Sequence, residues 1–537
     1  MDPSPARTAD SLSDADKPYG ENFWAIAPVV ALAAFMEVLD LSIANVSLLH
    51  IAGSLSASQD QATWVLTSYT VTNAIILPLS GWLASVLGRK RYFMGCIAAF
   101  SMTSLLCGLA PSLGLLVLFR ALQGITGGGL QPNAQAILSD AVPPAKRGMA
   151  FALYGIAVVF APAIGPTLGG WITDHLSWRW VFLINVPVGL IILPLVRALV
   201  RDPEHFVDAR RARRENGLRL DYIGFSLITL GLGCMQIVLD RGQQDDWFGS
   251  PWIVTLTVVF VTALIGFVAW EWRRDDPIVD LHLLKNRSFA VANVLMFMLG
   301  FVLLGSTALL PLYVQSLLGY TAMQAGLVIS PGGFAIMLMM PIVGQLVSRV
   351  DPRWLVAGGF LFSGLATLSM THFDTHVGYS TIMWARVFQA AGMAFLFIPI
   401  NTAAFADVPR TKTSNAAALI NMSRNIGASV GISLATTILA RRTQYHQSVL
   451  VDKLTPFNPA LHSYLTSIQD ALSQHAYGAG SLAARATGYL YQTVLRQSTM
   501  LAYIDDFKLM GTLFIALVPL AFLLRRGTTS AVRGDAH

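Results

Sequence analysis

Charged residues are scarce in this chain. Asp, Glu, Lys and Arg together make up 12% of its 537 residues, whereas a soluble globular domain has roughly 25%. The polar segments between the apolar stretches leave no room for a separate soluble domain. The composition therefore argues against a soluble protein and indicates a chain that lies largely in lipid.

Motifs for catalysis and metal binding are also missing. The chain has no His-Glu-x-x-His sequence, no Walker-type glycine loop and no context typical of a catalytic cysteine. Its three cysteines, Cys96, Cys107 and Cys234, are odd in number, lie in apolar stretches and lack the spacing of metal ligands. We therefore expect no metal site, no cofactor and no enzymatic activity, although a membrane-embedded enzyme remains the alternative from another class.

The beginning of the chain is polar. Residues 1–22 lack the order of positive charge, apolar run and cleavage site that defines a signal peptide. They are predicted to form a disordered tail.

Long apolar sequence is what the chain has in abundance. A helix needs roughly 20 apolar residues to cross the hydrocarbon core, because lipid offers no partner for backbone amides. Fourteen stretches satisfy this requirement and predict an all-α polytopic membrane protein with 14 transmembrane helices. They are Phe23 to Leu49, Trp64 to Val86, Phe93 to Ala110, Leu113 to Leu138, Met149 to Ile172, Trp180 to Val200, Tyr222 to Leu239, Trp252 to Trp272, Phe289 to Leu318, Met323 to Val347, Trp354 to Met370, Thr381 to Ala404, Asn415 to Ala440 and Phe507 to Leu524.

Basic residues alternate with these spans. Counting along the chain places the clusters around Arg89, Arg147 and 197–219 on one side, while the short loops of the other side hold only Arg179 and Arg241. The positive-inside rule then predicts that both termini are cytoplasmic.

Two passages repeat at nearly the same offset. Gly81–Lys90 follows the second stretch as Gly344–Arg353 follows the tenth, and Arg120–Gln123 begins the fourth as Arg386–Gln389 begins the twelfth. The offsets, 344 − 81 = 263 and 386 − 120 = 266, indicate one duplication. Two related six-helix bundles around a cavity suit a protein that exposes one site alternately to each face. A duplicated scaffold without transport is the alternative.

The predicted organisation follows from this duplication. It comprises a cytoplasmic tail at 1–22, a six-helix bundle at 23–200, a basic loop with two inserted helices and a linker at 201–288, a second six-helix bundle at 289–524 that includes a periplasmic segment at 441–500, and a tail at 525–537.

Ionisable groups inside spans are costly and therefore indicate function. Glu37 and Asp40 lie three residues apart in the first span, on one helical face, where like charges disfavour joint ionisation. Either carboxylate is a candidate proton carrier. Arg120 needs an acid, and the first span offers it. A static structural ion pair is the alternative.

The fifth span is rich in small residues. Gly155, Gly165, Gly169 and Gly170 permit close helix packing, and Pro166 frees a backbone carbonyl and bends the helix. This pattern predicts either a gate or a plain packing surface.

Other polar residues in the spans either line a substrate cavity or form hydrogen bonds between helices. Arg386 and Arg424 either join them or extend to the membrane surface. The cavity candidates are Asn45, Gln123, Asn133, Gln135, Asn293, Gln315, Arg386, Asn401 and Asn421.

Together these motifs resemble the major facilitator superfamily, in its 14-helix drug:proton antiporter branch of the EmrB and QacA type. The resemblance rests on Leu39 to Val46, Arg120 to Gly124, Gly155 with Gly165 to Gly170, and Ser177 to Pro187. It implies that Asp40 and Arg120 take part in proton coupling, with the proton gradient as the energy source.

The resemblance also implies a gating role for Gly81, Gly88, Arg89 and Lys90. The same loop has Ser85 and Val86 where much of the superfamily has Asp and Arg. The sequence therefore does not predict that this loop gates through a relay of charged side chains.

Segment 441–500 resembles the EmrB subgroup of Gram-negative bacteria, which works with a periplasmic adaptor and an outer-membrane channel. The implied function is proton-driven efflux of hydrophobic or amphipathic compounds across the inner membrane. A dedicated exporter of one metabolite, fatty acid or siderophore and a non-transporting sensor are the alternatives.

Overall fold

The structure is a computed structural model that describes residues 23–143, 146–202, 221–274, 277–455, 457–473 and 479–524. The predicted tails at 1–22 and 525–537, and most of the basic loop after residue 202, lie outside the described residues. Within the described part of the chain the regular structure is helical and no strand occurs. The predicted all-α class is thereby confirmed.

Twenty α-helices follow one another along the described ranges. They are α1 (Phe23–Val46), α2 (Leu48–Ser54), α3 (Gln59–Ala62), α4 (Trp64–Leu87), α5 (Arg89–Gly108), α6 (Leu113–Gly127), α7 (Leu130–Ala141), α8 (Arg147–His175), α9 (Trp180–Leu183), α10 (Asn185–Leu199), α11 (Tyr222–Arg241), α12 (Pro251–Glu271), α13 (Arg287–Ser316), α14 (Ala322–Leu346), α15 (Pro352–Ser369), α16 (Tyr379–Ala406), α17 (Thr413–Asp452), α18 (Pro459–Ser473), α19 (Ala479–Ala516) and α20 (Val518–Ala521). Four short 3₁₀ turns lie in the connections: Trp247–Gly249, Leu281–Lys285, Met370–His372 and Arg410–Lys412.

Ten segments of the described chain are long and apolar enough to cross a membrane, and the bent α8 makes eleven. The three remaining predicted spans fall on α5, α17 and α19, which are helices of 20, 40 and 38 residues. The prediction of 14 spans is compatible with this count.

Several helices differ in extent from the predicted stretches. The fourth span is one apolar segment, Leu113–Ala141, made of two helices, α6 and α7, because Gly127, Gly128 and Gly129 stand in a row before Pro132. No helix ends at Ala440 or begins at Phe507, because α17 continues to Asp452 and α19 already begins at Ala479. Apolarity marks the part of a helix that lies in lipid, whereas the helix itself ends only where capping or proline stops it.

An ion pair and a hydrogen bond hold these two extensions together. Arg442 Nε in α17 lies 2.8 Å from Asp505 Oδ2 in α19, and His446 Nε2 lies 2.9 Å from the same oxygen. The segment predicted as periplasmic at 441–500 therefore consists mostly of helical extensions of two spans, and α18 packs against α19.

The same packing recurs in both halves. In the first half α1 packs on α8 and α4 on α6; in the second half α13 packs on α17 and α14 on α16. Contacts of α8 with α14 and of α4 and α7 with α17 join the halves. The inserted helices α11 and α12 pack on each other, and α11 also packs on α4. We call the end of the bundle that carries Arg89 and Lys412 the basic end, and the opposite end the distal end.

Candidate functional site

The charged site of the first half is centred on α1. Asp40 has no exposed surface and Glu37 is 4% exposed. A carboxylate so deep in an apolar bundle needs several polar partners, because burial otherwise removes its hydration without replacement.

Asp40 has these partners. Its Oδ2 lies 2.5 Å from Arg120 Nη1 of α6. Its Oδ1 accepts hydrogen bonds from Gln123 Nε2 at 3.1 Å and from Asn185 Nδ2 of α10 at 2.6 Å. Two helices, α6 and α10, thus supply three donors to one carboxylate.

Arg120 is equally enclosed. Its Nε donates to the carbonyl oxygen of Val65 at 3.1 Å, and its guanidinium lies 4.3 Å from the centroid of the Tyr69 ring. Nη1 also donates to Gln123 Oε1 at 2.7 Å, while Nη2 has no hydrogen-bond partner. The guanidinium is therefore held by Asp40, and a change in the charge of Asp40 would act on it directly.

Glu37 belongs to a different set of contacts. Its Oε1 accepts a hydrogen bond from Asn73 Nδ2 of α4 at 3.0 Å, and its Oε2 has no partner. The hydrogen bonds of Glu37 and Asp40 therefore go to separate partners, although both residues lie within one turn of α1. The structure brings Asp40, and not Glu37, to Arg120.

Polar contacts between the halves lie next to Glu37. Arg424 of α17 donates from Nη2 to Gln131 Oε1 of α7, and Asn421 Nδ2 donates to Gln135 Oε1 at 2.6 Å. Arg424 is 8% exposed and does not reach the membrane surface. These bonds cross the boundary that an alternating-access transporter must open.

Apart from Arg386, which is buried and donates to Gln389, the remaining cavity candidates divide into two groups. The side chains of Asn133, Asn293 and Asn401 are buried but donate to carbonyl groups one turn earlier in their own helices. Asn45 and Gln315 are exposed near the distal ends of α1 and α13. The structure does not bring these last two into the interior, because the apolar stretches that contain them extend past the buried part of each helix.

A second charged cluster closes the basic end. Arg89 is fully buried and pairs with Asp140 of α7. Its Nε and Nη2 donate to Ser414 Oγ of α17 at 3.1 and 2.9 Å. The side chain of Arg89 thus ties both halves together, and we call Arg89, Asp140 and Ser414 the basic latch.

The other residues predicted for this loop, Gly81, Gly88 and Lys90, have different structural roles. Gly88 has a φ of +93°, which only glycine adopts without strain. A Cβ at Gly81 would lie 2.5 Å from Asn415 Oδ1, so a glycine permits the close approach of α4 to α17. Lys90 bonds the carbonyl oxygen of Arg197 at 2.6 Å and so stays within the first half.

The fifth predicted span, α8, is bent by 47° between Arg147–Pro162 and Ile164–His175. The ring of Pro166 prevents the usual helical bond to the Pro162 carbonyl, and Ser42 Oγ of α1 donates to that oxygen instead, at 3.4 Å. The bend is therefore stabilised by the same helix that carries Asp40.

Glycines set how closely α8 approaches its neighbours. A Cβ at Gly155 would lie 3.0 Å from the Met340 side chain of α14, and one at Gly169 would lie 3.2 Å from the Ile43 backbone of α1. At Gly165 the added atom would meet Ser42 Oγ at 2.2 Å, whereas at Gly170 no atom lies within 4 Å. Three of the four predicted glycines are therefore packing positions, and Gly170 is not.

Gly165 and Gly170 form a matched pair for a test. We expect Gly165→Ala to lower the unfolding temperature and slow transport, because overpacking costs about 1–3 kcal/mol and here also displaces Ser42 from Pro162. Gly170→Ala should match the wild type. The measurements are thermal unfolding of the purified protein and transport in membrane vesicles. Equal behaviour of the two variants would show that α1 and α8 tolerate a wider separation.

Sequence reasoning missed several polar residues. Asn185 and Ser104 complete the Asp40 site, since Ser104 Oγ accepts from Gln123 and Asn185. Asp140 was overlooked because it lies just past the predicted end of the fourth span. Its position before Pro143 and Pro144 at a basic loop was the available signal.

Another missed group joins the inserted helix α11 to both halves. Asp240 accepts a hydrogen bond from Thr70 Oγ1 of α4 at 3.0 Å and another from Gln236 Nε2 at 2.8 Å. Gln236 Oε1 accepts in turn from Ser429 Oγ of α17 at 2.9 Å. The seventh predicted span ended one residue before Asp240, which hid this acid.

No group of His, Cys, Asp and Glu that could hold a metal ion occurs in the described ranges. The absence of a cofactor remains a prediction.

Comparison with known proteins places this geometry in a family. Residues 30–432 match the Major Facilitator Superfamily. The chain is 35% identical over 497 residues to the multidrug export protein EmrB of Escherichia coli K12, covering 92% of this chain and 94% of EmrB. It is 36% identical over 504 residues to the fatty acid resistance protein FarB of Neisseria gonorrhoeae, covering 92% and 95%.

A solved structure agrees at the level of the fold. The human organic anion transporter MFSD10 superimposes with a TM-score of 0.60 at 12% identity, over 94% of this chain and 99% of MFSD10. The chain therefore belongs to the Major Facilitator Superfamily, in the branch that includes the EmrB multidrug export proteins.

Proposed function

We propose that this protein is a proton-driven efflux antiporter for hydrophobic or amphipathic compounds. The observation that carries the proposal is the buried ion pair between Asp40 and Arg120. It places a titratable carboxylate and a permanent positive charge in contact inside a bundle of two halves, which is what proton coupling requires.

The coupling follows from the change in charge. While Asp40 is ionised it compensates Arg120; once Asp40 binds a proton, Arg120 loses its counter-charge in a site of low polarity. The two protonation states therefore favour different arrangements of the helices around them, and by linkage the two arrangements differ in proton affinity. A proton moving down its gradient thereby drives the change that releases substrate.

The basic latch supplies the gate in this proposal. By the positive-inside rule the basic end faces the cytoplasm, so the described conformation is closed on that side. Substrate access from the cytoplasm then requires that Arg89 leave Ser414 and that the bonds from Arg424 and Asn421 to α7 separate.

The names of the relatives guide the choice of substrates. EmrB is named for multidrug export and FarB for fatty acid resistance. A broad range of amphipathic compounds is our first candidate, and a dedicated exporter of one fatty acid, metabolite or siderophore is the second. We place the protein in the bacterial inner membrane with both termini in the cytoplasm.

The function is tested in inverted membrane vesicles energised to an acidic interior. Hydrophobic cations and weak acids are added one at a time while the internal pH is recorded. Alkalinisation that depends on the added compound establishes proton antiport and gives a substrate class. A vesicle that responds to no compound, while binding of the same compounds to the purified protein is measurable, would favour a sensor without transport.

The distal extensions suggest a partner. Helices α17 and α19 extend past the apolar sequence, and aromatic side chains are exposed on α19 and in the turn between α17 and α18: Phe457 is 92%, Tyr489 59% and Tyr491 52% exposed. Exposed aromatics are typical of protein interfaces. We propose that these side chains contact a periplasmic adaptor protein, which connects the transporter to an outer-membrane channel.

Replacing Phe457, Tyr489 and Tyr491 with Ser tests this contact. We expect transport in vesicles to stay within about twofold of the wild type, because exposed substitutions change stability by no more than about 0.5 kcal/mol. Resistance of intact cells should fall to that of cells without the transporter. A matched variant, Tyr222→Ser, changes an exposed tyrosine of the inserted helix α11 and should keep full resistance. Loss of vesicle transport in the triple variant would instead assign these residues to the transporter itself.

A further inference from the structure

The second half of the bundle contains a buried arginine without a counter-charge. Arg386 of α16 is 4% exposed. Its Nη1 donates to Gln389 Oε1 at 2.6 Å, and its Nε is buried without a hydrogen-bond partner. No ion pair joins Arg386 to an acid in the described part of the chain.

The first half shows what such an arginine needs. Arg120 and Gln123 repeat as Arg386 and Gln389, and each arginine donates from Nη1 to the glutamine oxygen of its own half. In the first half Asp40 binds both members of the pair. The two halves therefore share the donors and differ in the acceptor.

The sequence repeat identifies the missing residue. Val38–Ala44 aligns with Val302–Ala308 at an offset of 264, with Val, Leu, Ser and Ala shared. At this offset the partner of Asp40 is Leu304, a half-buried residue of α13, since 304 − 40 = 264. An aliphatic side chain thus stands where the first half has its acid.

No neighbouring acid replaces it. Between Arg287 and Ala440 the chain has three acidic residues, Asp351, Asp374 and Asp407, and all three lie in loops between helices. Of the two acids in α19, Asp505 pairs with Arg442, and neither carboxylate oxygen of the buried Asp506 bonds a side chain. Asp374 Oδ1 already accepts from the backbone of His376 at 2.8 Å. An arginine keeps its charge at any physiological pH, so Arg386 carries an uncompensated positive charge in the interior.

We propose that Arg386 binds the anionic headgroup of an amphipathic substrate, such as a carboxylate, while the apolar chain lies along α13 and α14. This inference rests on the proposed transport function and names a substrate class for it. A carboxylate accepts two hydrogen bonds from one guanidinium, and the unpaired donors of Arg386 provide for this. The substrate supplies in the second half the charge that Asp40 supplies in the first.

Ligand pairs that differ only in charge test the proposal. Decanoate, decanol and decyltrimethylammonium are titrated into the full-length protein in nanodiscs of phosphatidylcholine. We expect decanoate to bind at least about tenfold more tightly than decanol, the effect of one charged hydrogen bond or more. In Arg386→Gln this preference should disappear while decanol binding stays unchanged, and Arg386→Lys should keep part of it.

Arg287→Gln is the matched control, because Arg287 is an exposed arginine at the first residue of α13 and its replacement removes the same charge. The control should keep the preference for decanoate. The proposal is overturned if the wild type shows no preference, if Arg386→Gln keeps it, if Arg386→Gln weakens all three ligands equally, or if Arg287→Gln removes it. Displacement of decanoate by phosphatidylglycerol in the nanodisc, dependent on Arg386, would assign the site to a lipid headgroup.

Proton movement in vesicles separates this inference from the transport function. If decyltrimethylammonium drives proton flux but decanoate shows no binding that depends on Arg386, the antiporter function is supported and the anion site is contradicted. If decanoate binds through Arg386 but no compound drives proton flux, the anion site is supported and the antiporter function is contradicted.

Discussion

Replacing Asp40 with Asn abolishes proton movement driven by substrate, while the protein still inserts into the membrane. An asparagine has one acceptor oxygen where Asp40 uses two, so its amide group would face the donors of Gln123, Asn185 or Arg120. Arg120 also loses its counter-charge, and breaking a buried ion pair costs about 3–5 kcal/mol. We expect the rate of coupled transport to fall at least about hundredfold, an amount that this energy allows.

Glu37→Gln is the control for this experiment. A glutamine oxygen can still accept from Asn73, and Glu37 makes no bond to Arg120. We expect its effect on proton movement to be much smaller. The measurement is the pH change in inverted vesicles at equal amounts of protein in the membrane. Coupling that survives in Asp40→Asn, or that is lost to the same degree in Glu37→Gln, would remove Asp40 as the coupling residue.

Breaking the basic latch opens the cytoplasmic side. In Arg89→Gln the charge that pairs with Asp140 is gone, and Ser414 loses two donors. The buried carboxylate of Asp140 is then left unpaired, which costs about 3–5 kcal/mol and favours separation of α4 and α7 from α17. Without the contacts of Arg89, the conformation closed on the cytoplasmic side is no longer the dominant one. We therefore expect the transport rate to fall at least about tenfold.

A cysteine at the seam reports the opening. Asn415→Cys is labelled with a maleimide in a background where Cys96, Cys107 and Cys234 are alanine. The maleimide should label the cysteine of Asn415→Cys faster in the Arg89→Gln variant than in the protein that keeps Arg89. Lys90→Gln is the neighbouring control, since the side chain of Lys90 bonds the carbonyl oxygen of Arg197 in the first half. Unchanged labelling in Arg89→Gln, or equal acceleration in Lys90→Gln, would show that Arg89 does not hold the halves together.

The pairing of Asp40 with Arg120 could be anticipated from the residue types. Few charges occur inside the spans, and an arginine in lipid needs an acid, so the small number of candidates restricted the choice. The glycines of α8 were also visible in the sequence, but which neighbour each one contacts was not. Gly165 and Gly170 look alike in the sequence, and only one of them touches α1.

Uncharged polar residues were harder to assign. Asn185, Ser104 and Gln131 complete the central networks, yet each belongs to a residue type that also serves as ordinary contact between helices. Asp140 and Asp240 were missed because the predicted spans ended before them. Apolarity falls near a helix end for many reasons, and the position of an acid there does not say whether its side chain turns inward.

The sequence by itself determined that this chain is a helical membrane protein of two repeated halves, because the cost of burying backbone and charge in lipid limits what such a composition can form. It also marked Asp40 and Arg120 as the charges that need explanation. Only the tertiary structure decided that Glu37 and Asp40 have separate partners, that Arg89 joins the two halves through Asp140 and Ser414, and that Arg386 lacks a counter-charge. These facts depend on which faces of distant helices meet, and helix packing, rather than local sequence, sets those contacts.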